Sequence, residues 1–158
     1  MQITLTLNGK SVCADVSPDL PLLDFVRSQG CLSVKRGCET SNCGLCTVLL
    51  DGRPVLSCTV LAVRADGHTV TTLEGVPEQA AEIGAYLAAE GAEQCGFCSP
   101  GLLMNIIAML RELPSPTEQE IRTYLAGNLC RCTGYEGQLR AIRAYLNAKG
   151  KEPVHEAE

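Results

Sequence analysis

The sequence predicts an α+β protein in two unlike halves, and three observations carry that expectation. Up to about residue 74 the apolar residues mostly alternate as in strands, whereas from Glu78 onward they recur at helical spacing. The third observation is that most of the ten cysteines fall in two close-spaced groups, one in each half. The break lies at Glu74-Gly75-Val76-Pro77, which gives an expected division into residues 1–76, residues 77–150 and a charged, loose tail over 151–158.

Each element follows from local pattern. Ile3, Leu5 and Leu7 alternate with Thr4 and Thr6, Asn8-Gly9 supplies a hairpin turn, and Val12, Ala14 and Val16 alternate on the return. A helix is expected after Ser17-Pro18-Asp19, with Leu22, Leu23 and Val26 at helical spacing before Gly30 ends it. Thr47 to Leu50, Asp51-Gly52 and Pro54 to Leu56 read as a second hairpin, and His68 to Leu73 as a last strand. In the second half Ile83 and Leu87, then Leu103, Ile106, Ile107 and Leu110, then Ile121 and Leu125, then Leu139, Ile142 and Leu146 mark four short helices, enough for a small bundle.

Composition narrows the function. A hydrophobic share of 46% with 20% charged residues suits a globular protein with real cores. The formal charge is −5 and no run of Lys and Arg occurs, so nucleic acid and anionic membrane are not expected partners. No stretch approaches the roughly 18 apolar residues of a membrane span, and the N-terminus enters directly on a strand pattern without a signal-like region. A cytoplasmic location is expected. Thiols there stay reduced, so the cysteines point to metal and not to disulfides. Halves of about 75 residues have small cores, and bound metal would stabilise both.

The first cysteine group is Cys38, Cys43 and Cys46, followed by Cys58: the spacing C-x4-C-x2-C, then a fourth cysteine after eleven residues. This is the plant-type pattern for a 2Fe-2S centre. Three thiolates on one loop surround two irons only if the backbone wraps closely, which Gly37 and Gly44 permit. Four thiolates also suit structural zinc, but zinc sites usually pair two short knuckles. The second group is Cys95, Cys98, Cys130 and Cys132. Cys95 and Cys98 precede a helix with Ser99 expected as its N-cap and Pro100 in its first turn, so their thiolates face a helix N-terminus. If Cys130-Arg131-Cys132 is extended, both thiolates point to one side. A thioredoxin-like pair would fit Cys95-Gly96-Phe97-Cys98 alone, but not in a helical half. Zinc and a second 2Fe-2S centre both stay open on spacing.

Gln94-Cys95-Gly96-Phe97-Cys98-Ser99-Pro100-Gly101 and Gly127-Asn128-Leu129-Cys130-Arg131-Cys132-Thr133-Gly134-Tyr135 closely resemble signatures of the iron-sulfur subunit of the xanthine dehydrogenase family of molybdenum hydroxylases. Ser33 to Cys38, Cys43 to Val48 and Thr72 to Gly75 resemble the corresponding pieces, in the same order. The resemblance spans residues 2 to 148. It implies a β-grasp, ferredoxin-like domain followed by a four-helix bundle, with two 2Fe-2S clusters and no catalytic residue in this chain. It also implies a hetero-oligomer with a large molybdopterin-binding subunit and a FAD-binding subunit. Electrons would pass from molybdenum through the helical-half cluster, then the plant-type cluster, to FAD or another acceptor. Gln94 and the region of Cys132 would lie against the pterin, and the loop at Gly44-Leu45 would face the flavin side. Purine hydroxylation is the first expectation, with nicotinate, aldehyde or carbon monoxide oxidation as alternatives. A free-standing two-cluster ferredoxin and a zinc-stabilised interaction module are the readings of other classes. Ser41 stands where the family usually has glycine, Leu45 where alanine is common, and Ser99 where threonine is usual.

Cys13 and Cys31 fall outside both groups and read as small apolar fillers. His68 and His155 are isolated, and Lys35 and Arg36 read as solvated charges beside the first loop.

Overall fold

Alternation in the first six strand residues buries Ile3, Leu5 and Leu7 and builds β1 (Gln2–Leu7), in a computed structural model that describes residues 1–151. His155 and all of the expected tail but Lys151 lie outside the described residues. β1 pairs antiparallel with β2 (Lys10–Asp15), and Leu7 opposes Lys10 across Asn8-Gly9. That turn has φ of 50° and 79°, the left-handed pair that matches strand twist in a two-residue hairpin. β3 (Thr47–Leu50) and β4 (Arg53–Leu56) repeat the device at Asp51-Gly52, with φ of 49° and 82°.

The short β5 (Thr69–Thr71) inserts between β1 and β3, parallel to the first and antiparallel to the second. The sheet order is β2-β1-β5-β3-β4. β5 is shorter than the six residues the pattern suggests, because Thr72 donates its backbone N–H to the Asn8 side chain and Leu73–Gly75 turn as a 3-10 helix. α1 (Leu22–Ser28) packs Leu22, Leu23, Phe25 and Val26 onto the sheet. It starts later than Ser17-Pro18-Asp19 suggests: the Ser17 hydroxyl caps nothing and bonds to the Asp19 carboxylate, and Pro21 is the helix N-cap.

β3 explains how the halves join. Its four residues Thr-Val-Leu-Leu are an unbroken run of inward positions, as expected for a strand covered on both faces. Val48 faces the α1 core, whereas Leu49 belongs to the core of the helical half. That half comprises α2 (Pro77–Ala89), α3 (Ser99–Glu112), α4 (Glu118–Leu125) and α5 (Glu136–Ala148). α3 is its axis, buried at eight positions between Gly101 and Met109. A helix apolar nearly all round must sit inside. α3 begins at Ser99 with Cys98 as its N-cap residue and no side-chain cap, so Ser99 does not cap it. α4 has a capping box, with Thr117 and Glu120 each satisfying the other's backbone N–H. The architecture is a β-grasp half followed by a four-helix bundle.

A polar strap ties the exit from the sheet to the root of the first cysteine loop. Asn8 accepts from Thr72 N–H at 2.8 Å and donates to Thr72 Oγ1 at 2.9 Å. Thr72 donates to Glu74 at 2.6 Å, and Glu74 accepts from Ser33 N–H at 2.9 Å and its hydroxyl at 2.6 Å. Burial alone would push the Glu74 carboxyl up; the bonds from Ser33 and Thr72 more than reverse this and leave it below its ordinary value of 4.5. A depressed carboxyl stabilises the fold above its unfolded value, and the contribution is lost as pH falls through the folded one. Glu74→Gln should therefore lower stability by roughly 1–2 kcal/mol at neutral pH, allowing for solvent screening. The gap from wild type in thermal midpoint should close as pH falls below 4.5. A gap that is constant with pH would contradict this account.

Asn8 also reaches the Cys31 sulfur at 3.5 Å. Cys31 is buried in the first core, where burial pushes its thiol up, while Cys13 is exposed on β2.

Candidate metal centres

Between α1 and β3 the chain runs from Gly37 to Cys46 without regular structure, and its backbone N–H groups turn toward sulfur. Amides of Asn42 and Thr40 bond the Cys38 sulfur and lower its thiol from 9.0 to about 6. Cys43 and Cys46 lie inward, 6% and 3% exposed, and burial raises Cys46 to about 11. Cys58 is brought back by Ser57, whose hydroxyl and N–H both donate to the Cys46 carbonyl, at 2.7 Å and 3.3 Å. A side chain on Gly37 would meet Leu45 at 2.8 Å and the Cys43 sulfur at 3.2 Å, so this glycine is what the close wrap requires. Cys38 interacts with Cys43, and Cys46 with Cys58 most strongly and with Cys43 as well.

The second group is assembled from both ends of the helical half. Cys95 and Cys98 lead into α3; Cys130 and Cys132 lie between α4 and α5. The Cys132 and Cys95 sulfurs are 3.7 Å apart, and Cys98 interacts with Cys130. Cys130 and Cys132 thus lie nearest different partners while both line one cleft. Burial raises the Cys98 thiol to about 12. Thr133 donates its hydroxyl to the Cys130 sulfur at 3.1 Å, and the Cys130 N–H donates to the Tyr135 hydroxyl at 2.9 Å. Tyr135 itself is held at φ 72°. Gln94 is exposed beside Cys95, its side chain donating to the Gly91 carbonyl at 3.2 Å.

The two groups border one cleft of about 420 Å³, lined by Cys38, Cys43, Cys95, Cys98, Cys130 and Cys132 among others. One hydrogen bond joins them directly: the Leu129 N–H donates to the Cys43 carbonyl at 2.9 Å. Beside it the halves meet backbone to backbone. A side chain on Gly44 would come within 2.3 Å of the Gly127 carbonyl, and one on Gly101 within 2.7 Å of the Gly44 carbonyl. Asn105 of α3 adds a bond to Thr47 Oγ1 at 3.0 Å. Gly44 and Leu45 are therefore buried against the helical half, which corrects the expectation that this loop faces outward to a flavin. The outward part of the loop is Arg36 to Asn42. Arg36 is paired with Asp24 and Glu39, whereas Lys35 lies over the Phe97 ring of the other group, 5.9 Å from its centroid.

Comparison with known proteins decides the family. Residues 5–71 match the "2Fe-2S iron-sulfur cluster binding domain" and residues 72–143 the "[2Fe-2S] binding domain". The xanthine dehydrogenase iron-sulfur-binding subunit of Escherichia coli O157:H7 is 48% identical, over 85% of this chain and 87% of that protein. The chain belongs to the family of xanthine dehydrogenase iron-sulfur subunits. Within this family, the nicotinate dehydrogenase small FeS subunit of Eubacterium barkeri is 44% identical over 89% of this chain and 92% of the relative. Among solved structures, quinoline 2-oxidoreductase from Pseudomonas putida 86 superposes with a TM-score of 0.85 at 39% identity, covering 96% of this chain and 98% of the matched chain. As a member of the family of xanthine dehydrogenase iron-sulfur subunits, the chain is an electron-transfer subunit of an oxidoreductase with two 2Fe-2S-binding domains.

Thr133, Tyr135, Ser57 and Asn105 join the site only through the fold. All four act through hydrogen bonds to backbone, to sulfur or across the seam. A hydroxyl three residues from a cysteine was the available signal for Thr133; nothing local marks Asn105.

Proposed function

We propose that Cys38, Cys43, Cys46 and Cys58 hold one 2Fe-2S cluster, and that Cys95, Cys98, Cys130 and Cys132 hold the other. The observation that carries this reading is that each four-cysteine group falls inside one of the two stretches, 5–71 and 72–143, that match 2Fe-2S-binding domains. Among the described residues, no three Cys, His, Asp or Glu side chains converge as a ligand set for one ion. Amides aimed at the Cys38 sulfur suit an anionic group in the first site, and the hydroxyl of Thr133 suits one in the second. The domains are residues 1–76 and 77–150, each holding one cluster.

Bound clusters supply one-electron relay, which we read as running inward from a molybdopterin site at the helical half and outward to flavin or another acceptor at the β half. The chain's own residues hold the two groups in one cleft, join them through the Leu129 to Cys43 bond, and shield Cys43 and Cys46 from water. The partners are a large molybdopterin-binding subunit and a FAD-binding subunit in a cytoplasmic hetero-oligomer. Large apolar side chains stand exposed around the second group, Phe97 at 48%, Leu129 at 46% and Tyr135 at 42%, as suits a docking face for the large subunit. Gln94, beside Cys95, would contact the pterin. The substrate, bound in the large subunit, is a nitrogen heteroaromatic, the class to which xanthine, nicotinate and quinoline in the relatives' names belong.

Anaerobic purification, iron and sulfide analysis and EPR after reduction test the reading. Two distinct 2Fe-2S signals are expected. Cys43→Ser should impair the first and Cys130→Ser the second; loss of both signals from either change would contradict separate sites. Stoichiometric zinc without iron would sink the proposal, and failure to co-purify a large molybdopterin subunit would leave a mobile ferredoxin in its place.

A further inference from the structure

Ser41 occupies a backbone conformation that its side chain disfavours. Its φ of 59° lies in the left-handed region where glycine is at ease, and it is the one residue between Cys38 and Cys43 in that region. Strain retained at a site is a reason to ask what the side chain does there. The Ser41 hydroxyl lies 3.8 Å from the Cys58 sulfur, within hydrogen-bond reach for sulfur.

In the thiol state the Cys58 S–H donates to the Ser41 oxygen. A metal-bound cysteine has lost that proton. The same pair of atoms must then bond in the opposite sense, with Ser41 O–H as donor and the sulfur as acceptor. A hydroxyl donated to a ligating sulfur offsets negative charge there. Since a reduced cluster carries more negative charge than an oxidised one, the bond favours the reduced form and raises the potential. The second group has its counterpart, the Thr133 hydroxyl on the Cys130 sulfur at 3.1 Å. Each site would then carry one hydroxyl on one sulfur.

We infer that Ser41 is a tuning residue: through Cys58 it raises the reduction potential of the first centre, and backbone strain is tolerated to keep its hydroxyl in place. This rests on Cys58 being a cluster ligand. One exposed side chain thus sets part of the potential gap between the two centres, and hence the downhill direction of the relay.

Ser41→Ala removes the hydroxyl and keeps a side chain at positive φ; Ser41→Gly removes both. The test is a potentiometric EPR titration of the intact, cluster-loaded complex. Both variants should shift the first centre to lower potential and leave the second unchanged. Ser41→Gly should also raise the thermal midpoint above that of Ser41→Ala, so that the more stable protein has the lower potential. A first-centre potential at the wild-type value in either variant, or an equal shift at the second centre, overturns the inference. If the wild-type protein holds no 2Fe-2S centre on Cys58, shown by a first EPR signal that survives Cys58→Ser unaltered, the ligand assignment fails instead.

Discussion

Gly44→Ala is expected to destabilise the cluster-loaded protein by roughly 2–5 kcal/mol, combining the strain of a side chain at positive φ with an overpacked seam. Gly44 has φ 74°, and a methyl group there would stand 2.3 Å from the Gly127 carbonyl oxygen and 3.1 Å from Asn128 Cα. Those are backbone atoms, which cannot swing aside as a side-chain tip would. The chain must therefore open the joint between the halves, and the Leu129 to Cys43 bond lies within it. Gly67→Ala is the matched control: its φ is 76°, but nothing lies within 4 Å of the added carbon, so it carries only the backbone penalty. The check is thermal unfolding of both variants beside wild type, with the magnetic interaction between the two reduced centres as a measure of their separation. If Gly44→Ala is no less stable than Gly67→Ala and the interaction is unchanged, the seam is softer than this geometry requires.

Removal of iron should have a comparably large effect, and an uneven one. A tie between the Cys95–Cys98 turn and the Cys130–Cys132 turn closes a stretch of about 30 residues, and cross-links of such span give about 2–4 kcal/mol. For a half of this size that corresponds to a fall in midpoint of roughly 10–20 °C. The helical half should lose more. Its second-site turns lie at the chain's loop ends with Cys95 and Cys132 exposed, whereas Cys43 and Cys46 are built into the seam and the sheet core. Hydrogen exchange on chelator-treated protein should show the amides of residues 93–98 and 130–135 released first, ahead of the seam amide of Leu129. An apoprotein with an unchanged midpoint would show that the cores suffice without metal.

The elements that could be read from sequence are those specified by neighbours. Asn8-Gly9 and Asp51-Gly52 announce their hairpins because a two-residue turn needs left-handed residues there, and α3 announces itself by its apolar stripe. What could not be read depends on distant residues. His68 to Leu73 looks like one strand until Asn8, far away in sequence, takes the Thr72 N–H out of the ladder. Spacing groups the cysteines by fours, but which thiol lies nearest which is decided by how the helices bring their loops together, so Cys132 meets Cys95 and Cys130 meets Cys98. The inward aim of Gly44-Leu45 was hidden for the same reason: Gly127 and Gly101 are what it meets, and neither is near it in the chain.

The place of β5 and of Cys130 and Cys132 has a consequence for biosynthesis. β5 is the central joint of the sheet, between β1 and β3, yet it is the last strand to leave the ribosome. Cys38, Cys43, Cys46 and Cys58 all emerge before it, so a nascent chain displays a full set of thiols on an unfinished scaffold. The other four are complete only when Cys132 emerges, well after β5. The β-half thiols are thus assembled on a sheet that lacks its central strand, and the helical-half set is completed only after that strand has been made.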